Sequence, residues 1–245
     1  MRNNKMDERL KRIVDESESI VFFGGAGVST ESGIPDFRSE AGLYNAQKNY
    51  GYPPETMLSI DFFNSNTADF FKYYKENLIN LDIQPNKAHF ALAKLEREGK
   101  LKAIVTQNID GLHQKAGSKT VYELHGSVLK NTCISCGKKH SVEYIIDEKN
   151  CKNMIPYCEC GGIIKPDVVL YGEALDMDTM SGAVRAISSC ETLIVGGTSL
   201  VVYPAAGLVD YFRGKNLVLI NRDETAFDNR ANLVIHDSIG KVMDY

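Results

Sequence analysis

Short apolar runs recur along the chain, each closed by glycine or polar residues. Ile20–Phe23, Leu101–Thr106, Val121–Leu124, Val168–Tyr171, Thr192–Val195, Leu217–Ile220 and Leu233–Ile235 read as strands. Helical spacing lies between them. Leu10, Ile13 and Val14 make one stripe within 7–18, and Thr67–Leu78 carries an aromatic face of Phe70, Phe71, Tyr73 and Tyr74. Pro85-Asn86 starts a helix with Ala88, Ala91, Leu92 and Leu95 inward and Gly99 as its stop. Met177–Ser189 is a further helix, and Leu208–Phe212 lies in another. Gly42–Pro54 reads as irregular chain, and Lys130–Lys165 loses periodicity and forms an insert.

Apolar strands alternating with helices predict an α/β fold: a Rossmann-like, mostly parallel sheet with helices on both faces. Ligands in such sheets sit at the C-terminal strand ends. The polar residues there are Gly25–Ser29, Gln107–Asp110, His125-Gly126, Gly197–Ser199 and Asn221.

Composition narrows the partners. The chain has 245 residues, with 28 Lys+Arg against 32 Asp+Glu and a formal net charge of −4. That balance argues against nonspecific nucleic-acid binding, which needs a basic field, and leaves room for a basic peptide. The N-terminus lacks the apolar core of a signal peptide, and no apolar run approaches the ~18 residues of a membrane span, so a cytoplasmic protein is expected. Nothing in the pattern sets the oligomeric state; a monomer is the expectation.

Gly25-Ala26-Gly27 after the first strand offers the close backbone approach a pyrophosphate requires. Thr30 stands where the dinucleotide fingerprint has its third glycine, and no acidic ribose ligand follows about 20 residues on. The loop Glu31–Arg38 then brings an aromatic ring, Phe37, able to cover a flat ligand, and Arg38, able to pair with phosphate.

Five blocks in order, GAGVSTESGIPDFRS from Gly25, TQNIDGLH from Thr106, Leu124-His125-Gly126, VVLYGE from Val168 and GTSL from Gly197, resemble the sirtuin family of NAD-dependent protein deacylases. The resemblance implies a single catalytic core over 1–245. Its Rossmann-like part covers about 7–38, 86–128 and 166–245, and its small module has a helical segment at 39–85 and a zinc ribbon at 129–165. It implies a reaction in which an acetylated lysine of a protein or peptide attacks C1′ of the NAD ribose, releasing nicotinamide, free lysine and O-acetyl-ADP-ribose. It also implies roles. Phe37 and Ile109 wall the nicotinamide pocket, Asp36 lies in the same loop, and Asp110 bonds the carboxamide. Asn108 orients the ribose or a water, and His125 is the general base. Gly25, Ala26, Gly27, Thr30, Arg38, Gln107, Thr198, Ser199 and Asn221 line the cofactor. Asp237 lies near the adenine, with a helix N-cap as its alternative. Val169, Tyr171, Gly172 and Glu173 receive the acyl-lysine strand, Tyr171 standing where the family often has Phe. The rivals are a protein mono-ADP-ribosyltransferase, a deacylase for longer neutral acyl groups, a dehydrogenase and a non-enzymatic NAD sensor.

Cys133-x-x-Cys136 and Cys158-x-Cys160, 21 residues apart, supply four thiolates for one zinc ion. Four thiolates leave no open position, so the metal is structural. The family usually has C-x-x-C in the second pair, so Cys151 or His140 is the alternative to Cys158. Cys190 reads as a buried apolar residue. Lys138-Lys139 is too small a basic patch for nucleic acid. Relatives that remove succinyl groups carry Tyr-x-x-Arg in the helical module. Phe71 and Tyr74 stand at those positions here, so acetyl or a longer neutral acyl group is expected over succinyl.

Overall fold

A computed structural model describes residues 6–35 and 47–244. Six strands form the main sheet: β1 (Ile20–Gly24), β2 (Leu101–Thr106), β3 (Val121–Glu123), and three that follow the insert, β9 (Thr192–Gly196), β10 (Asn216–Ile220) and β11 (Leu233–Ile235). Their order is β11-β10-β9-β1-β2-β3, and every pairing is parallel. All five β1 residues are buried. Ile20 and Phe22 enter one core with Leu10 and Val14 of the helix Glu8–Glu16 and Leu92 and Leu95 of the helix Lys87–Arg97. Val21 and Phe23 enter the opposite core with Ala183 and Ile187 of the helix Met177–Ser189. Alternation along one strand thus feeds two apolar layers, which is why the strands read as unbroken hydrophobic runs.

The helix Lys87–Arg97 begins where the Pro85-Asn86 signal places it. The Asn86 side chain accepts from the Ala88 amide at 3.0 Å, and His89 Nδ1 accepts from the Asn86 amide at 3.2 Å. Gly99, at φ +76°, follows its end.

The insert holds regular structure that its composition hid. A three-stranded antiparallel sheet joins β4 (Gly126–Cys133), β5 (Lys139–Ser141) and β8 (Ile164–Val168) in the order β5-β4-β8, and β6 (Cys151–Lys152) pairs with β7 (Ile155–Pro156). A third core links this sheet, through Val128, Ile164 and Val168, to Phe62, Phe63, Phe70, Phe71, Tyr73 and Tyr74 of the helices Ile60–Ser65 and Thr67–Asn77. Three expectations are corrected. The strand expected at Val168–Tyr171 ends at Val168. Beyond it the chain stays extended by single backbone bonds, Val169 N to His125 O at 2.9 Å and Tyr171 N to Leu58 O at 2.9 Å. The segment around Leu208–Phe212 is a 3₁₀ stretch, Ala205–Tyr211. Within the irregular Gly42–Pro54 reading, residues 47–50 are helical, and 42–46 lie outside the described residues. Among the described residues no helix is long and apolar enough to cross a membrane.

Two histidines sit in the interior between the first core and the site. His89 and His113 are fully buried, with ring centroids 4.8 Å apart. Burial holds the His89 imidazole down at about 4. Burial, and then the neighbouring His89, hold His113 at about 3. Both values lie below the ordinary ~6.5, so the unfolded chain takes up protons first as pH falls. Their contribution to stability is complete above pH ~6.5 and is lost progressively below it. The unfolding free energy from urea titrations should therefore fall between pH 7 and pH 5.5, by up to about 1.4 kcal/mol per pH unit per histidine. A His89→Gln/His113→Gln double variant should show a flatter profile over that window; an unchanged slope contradicts the assignment.

Candidate active site

β1 and β9 are neighbours, and connections leave them toward opposite edges of the sheet, so a crevice opens where both strands end. Two glycine turns meet there. Gly25 N donates to Gly196 O at 3.3 Å and Gly27 N to Gly197 O at 2.8 Å. A Cβ on Gly27 would stand 2.8 Å from Gly197 Cα, and one on Gly25 would stand 2.8 Å from Thr198 Cβ. Gly197 itself adopts φ +60°. The close approach that a third fingerprint glycine usually provides comes here from Gly197 on the neighbouring strand, which leaves Thr30 free to carry a side chain. Two short 3₁₀ turns, Ala26–Val28 and Thr30–Ser32, follow, and Thr30 Oγ1 donates to Gly27 O at 3.0 Å.

The end of β2 supplies the second wall. Gln107 N donates to Gly24 O at 2.9 Å, and Gln107 Nε2 to Thr198 Oγ1 at 3.1 Å, so this residue spans three strand ends. Asn108 N is held by Thr106 Oγ1 at 3.0 Å. A side-chain relay then runs across the crevice: Asn108 Nδ2 donates to Ser29 Oγ at 3.0 Å, and Ser29 Oγ donates to Asp110 Oδ2 at 2.7 Å. Asp110 Oδ1 accepts from Leu112 N at 2.9 Å. Burial raises the Asp110 carboxyl above its ordinary range, against the opposing pull of those two hydrogen bonds. Ser29 is buried, and the sequence reading gave it no role. Its signal was the hydroxyl closing the GAGVS block.

His125 joins the large and small parts. Its Nδ1 lies 2.9 Å from Gln107 O. A carbonyl oxygen only accepts, so Nδ1 carries the proton and Nε2 is the basic nitrogen of the neutral ring. Gly126 follows at φ +75°, and a Cβ there would fall 1.9 Å from Asp167 O. Glycine is required because β8 presses on β4 at this point, pairing Gly126 with Val168.

These ends line one cavity of about 850 Å³. It gathers Gly25, Ala26, Gly27 and Thr30; Gln107, Asn108, Ile109 and Asp110; His125; Val169, Tyr171, Gly172 and Glu173; Thr198 and Ser199; and Asn221 and Asp237. Asp36, Phe37 and Arg38 lie outside the described residues. Glu173 is held by Lys165 at 2.9 Å and by Leu170 N at 2.8 Å. The helix Ile239–Val242 has Ser238, not Asp237, at its N-cap, and Asp237 accepts from Ser238 N at 2.8 Å and pairs with Lys241. Phe71 and Tyr74 are fully buried in the third core and do not line the cavity.

The Sir2 family model matches residues 25–204. The chain belongs to the Sir2 family. An NAD-dependent protein deacetylase of Clostridium acetobutylicum is 63% identical over 242 residues, covering 98% of this chain and 97% of that protein. A solved Sir2–p53 peptide–NAD⁺ structure is similar at TM-score 0.85 and 40% identity, over 96% of this chain and 95% of the other. A second, a Sir2 variant with deacetylated p53 peptide and 3′-O-acetyl ADP ribose, reaches TM-score 0.87 at 40% identity, over 98% and 96%.

This Sir2-family chain also gathers Cys133, Cys136, Cys158 and Cys160, whose sulfurs all lie within 4.8 Å of one another. Cys133 and Cys160 approach to 3.5 Å, and Cys136 and Cys158 to 3.7 Å. Sulfurs bound at ~2.3 Å to one tetrahedral ion stand at about this separation, so the set fits a structural zinc. Cys151, the alternative ligand, is elsewhere: its sulfur accepts from Lys75 Nζ at 3.2 Å. Cys190 is buried, as expected.

Removing the Ser29 hydroxyl leaves Asn108 Nδ2 and half-buried Asp110 Oδ2 without their shared partner. Ser29→Ala should lose about 1–3 kcal/mol in urea denaturation and weaken NAD binding. Wild-type values for both would contradict the relay.

Proposed function

We propose that this chain is an NAD-dependent protein lysine deacetylase, acting as a single catalytic core on acetyl-lysine proteins or peptides. The observation that carries the reading is the meeting, in one cavity, of the glycine joint, the Asn108–Ser29–Asp110 relay and a His125 whose basic nitrogen is defined. NAD supplies the electrophilic C1′ and the ADP-ribosyl acceptor of the acetyl group, with nicotinamide as the leaving group.

The chain's residues then divide the work. Gly25, Ala26, Gly27 and Thr30 bring backbone to the pyrophosphate, with Arg38 from the following loop. Gln107, Thr198, Ser199, Asn221 and Asp237 complete the dinucleotide cradle. Asp110 accepts from the carboxamide; each oxygen already takes one donor and keeps a lone pair for another. Asn108 orients the ribose, with Ser29 holding its amide. Ile109, with Phe37, excludes water from the side where positive charge grows. His125 Nε2 draws a proton from the ribose hydroxyls, while Gln107 O keeps Nδ1 protonated throughout. Val169 and Tyr171, alternating with buried Val168 and Leu170, face the acyl-lysine, and the turn at Gly172-Glu173, closed by Glu173 N donating to Leu170 O at 2.9 Å, stands beside the peptide.

Zinc-bound thiolates suit a reducing compartment, which supports a cytoplasmic location. Lys138 and Lys139 are paired with Glu159 and Asp167, which supports a protein rather than a nucleic-acid partner. Acetyl or a longer neutral acyl group is favoured over succinyl on the resemblance alone: Phe71 and Tyr74, at the positions where succinyl-removing relatives carry Tyr-x-x-Arg, bring no cation and lie outside the cavity.

Mass spectrometry of the chain mixed with NAD and acetyl- or succinyl-lysine peptides tests the reading. O-acetyl-ADP-ribose should form, faster than the succinyl product, and His125→Ala should lower turnover by roughly 10²–10⁴. Faster desuccinylation overturns the acyl preference, and full activity in His125→Ala overturns the base.

A further inference from the structure

The zinc cluster differs from a symmetric pair of knuckles in one way, and His140 stands at the place where it differs. In the first pair, Cys133-x-x-Cys136, the backbone amides of Ser135 and Cys136 both hydrogen-bond the Cys133 sulfur. In the second pair one residue is missing between the cysteines. The Cys158 sulfur receives the amide of Cys160, but the next amide, Gly161 N, is spent on Cys158 O at 2.9 Å. The Gly162 amide goes to the Cys160 sulfur. The compressed spacing has therefore removed one amide donor from Cys158.

His140 Nε2 lies 3.3 Å from that sulfur. The imidazole is on β5, is 9% exposed, and packs on Tyr144 with ring centroids 4.3 Å apart. Tyr144 is itself anchored by its hydroxyl, which donates to Tyr157 O at 3.2 Å. Four thiolates on a divalent cation leave two negative charges uncompensated, and Cys133 and Cys158 are the two buried ligands. Glu159 also approaches Cys158, at 3.4 Å, but it is exposed and paired with Lys138 at 2.9 Å.

We infer that His140 is not a zinc ligand but the replacement donor: its Nε2–H bonds the Cys158 thiolate, supplying the hydrogen bond that the C-x-C spacing gave up and retaining the metal. The ring bridges β5 to the second cysteine pair, and β4 on its other side leads straight from His125. His140 is thus a positioning residue for the ribbon, acting through Cys158 rather than on substrate. Outer partners of this kind typically change metal affinity by about 10–100-fold when removed.

The test uses the zinc-loaded full chain. In its ¹⁵N imidazole spectrum, His140 Nε2 should carry a proton. An unprotonated Nε2, whether metal-bound or a bare lone pair, overturns the proposal without any variant. Zinc transfer to a chromophoric chelator should then be about 10–100-fold faster in His140→Phe, which keeps the ring against Tyr144, and near wild type in His140→Gln, which keeps an N–H donor. Equal release from His140→Phe and wild type overturns it. The cobalt(II)-substituted wild type should show a four-thiolate spectrum, unchanged in His140→Phe; a mixed sulfur–nitrogen spectrum makes His140 a ligand and overturns it too.

Discussion

Backbone pressed on backbone at the ends of β1 and β9 is the constraint from which the site follows. Gly27 N reaches Gly197 O at 2.8 Å because neither turn carries a side chain there. With the two turns in contact, Thr198 comes within reach of Gln107, and Gln107 in turn presents its carbonyl to His125. A chain of short polar contacts thus runs from the first glycine turn to His125 through residues at the ends of three different strands. Each contact is modest alone; together they leave little freedom in where the reacting groups stand.

A second joint of the same kind ties in the small module. At Gly126 the Asp167 carbonyl lies where a Cβ would be, and His125 sits one residue before it. His125 is therefore held on one side by the parallel sheet, through Gln107 O, and on the other by the ribbon, through Val169 N. That position, between two separately packed cores, accounts for a zinc ion that is remote from chemistry by its closed ligand set. A closed four-thiolate site pins the sheet whose first strand begins beside His125.

Much of the large part was legible in sequence because its strands are buried on both faces. β1, β2, β9 and β10 show largely apolar runs, and Pro85-Asn86 announces the helix start. The rim residues were legible because each run ends in a polar block. The small module was harder. β4 has an irregular burial pattern, β5 has only three residues, and β8 carries Lys165 and Asp167 between its apolar positions, so none shows an unbroken apolar run. Val168–Tyr171 reads as strand because it is extended and apolar, yet only Val168 pairs in the sheet. Ser29 was passed over because a serine after two glycines looks like turn chemistry, and only the fold places Asn108 and Asp110 on either side of it. The single-residue compression at Cys158-x-Cys160 is visible in sequence, where His140, 18 residues away, reads only as an alternative ligand; its contact with the Cys158 sulfur at 3.3 Å is set by the fold.

The central claim is that the Gly27–Gly197 contact forms the seat for the dinucleotide. Calorimetric titration of NAD into wild type, Gly27→Ala and His125→Ala tests it most directly. A methyl at Gly27 should separate the two turns and weaken NAD binding by at least tenfold, while His125→Ala, folded and zinc-loaded, binds NAD close to wild type. Wild-type affinity in Gly27→Ala would contradict the account.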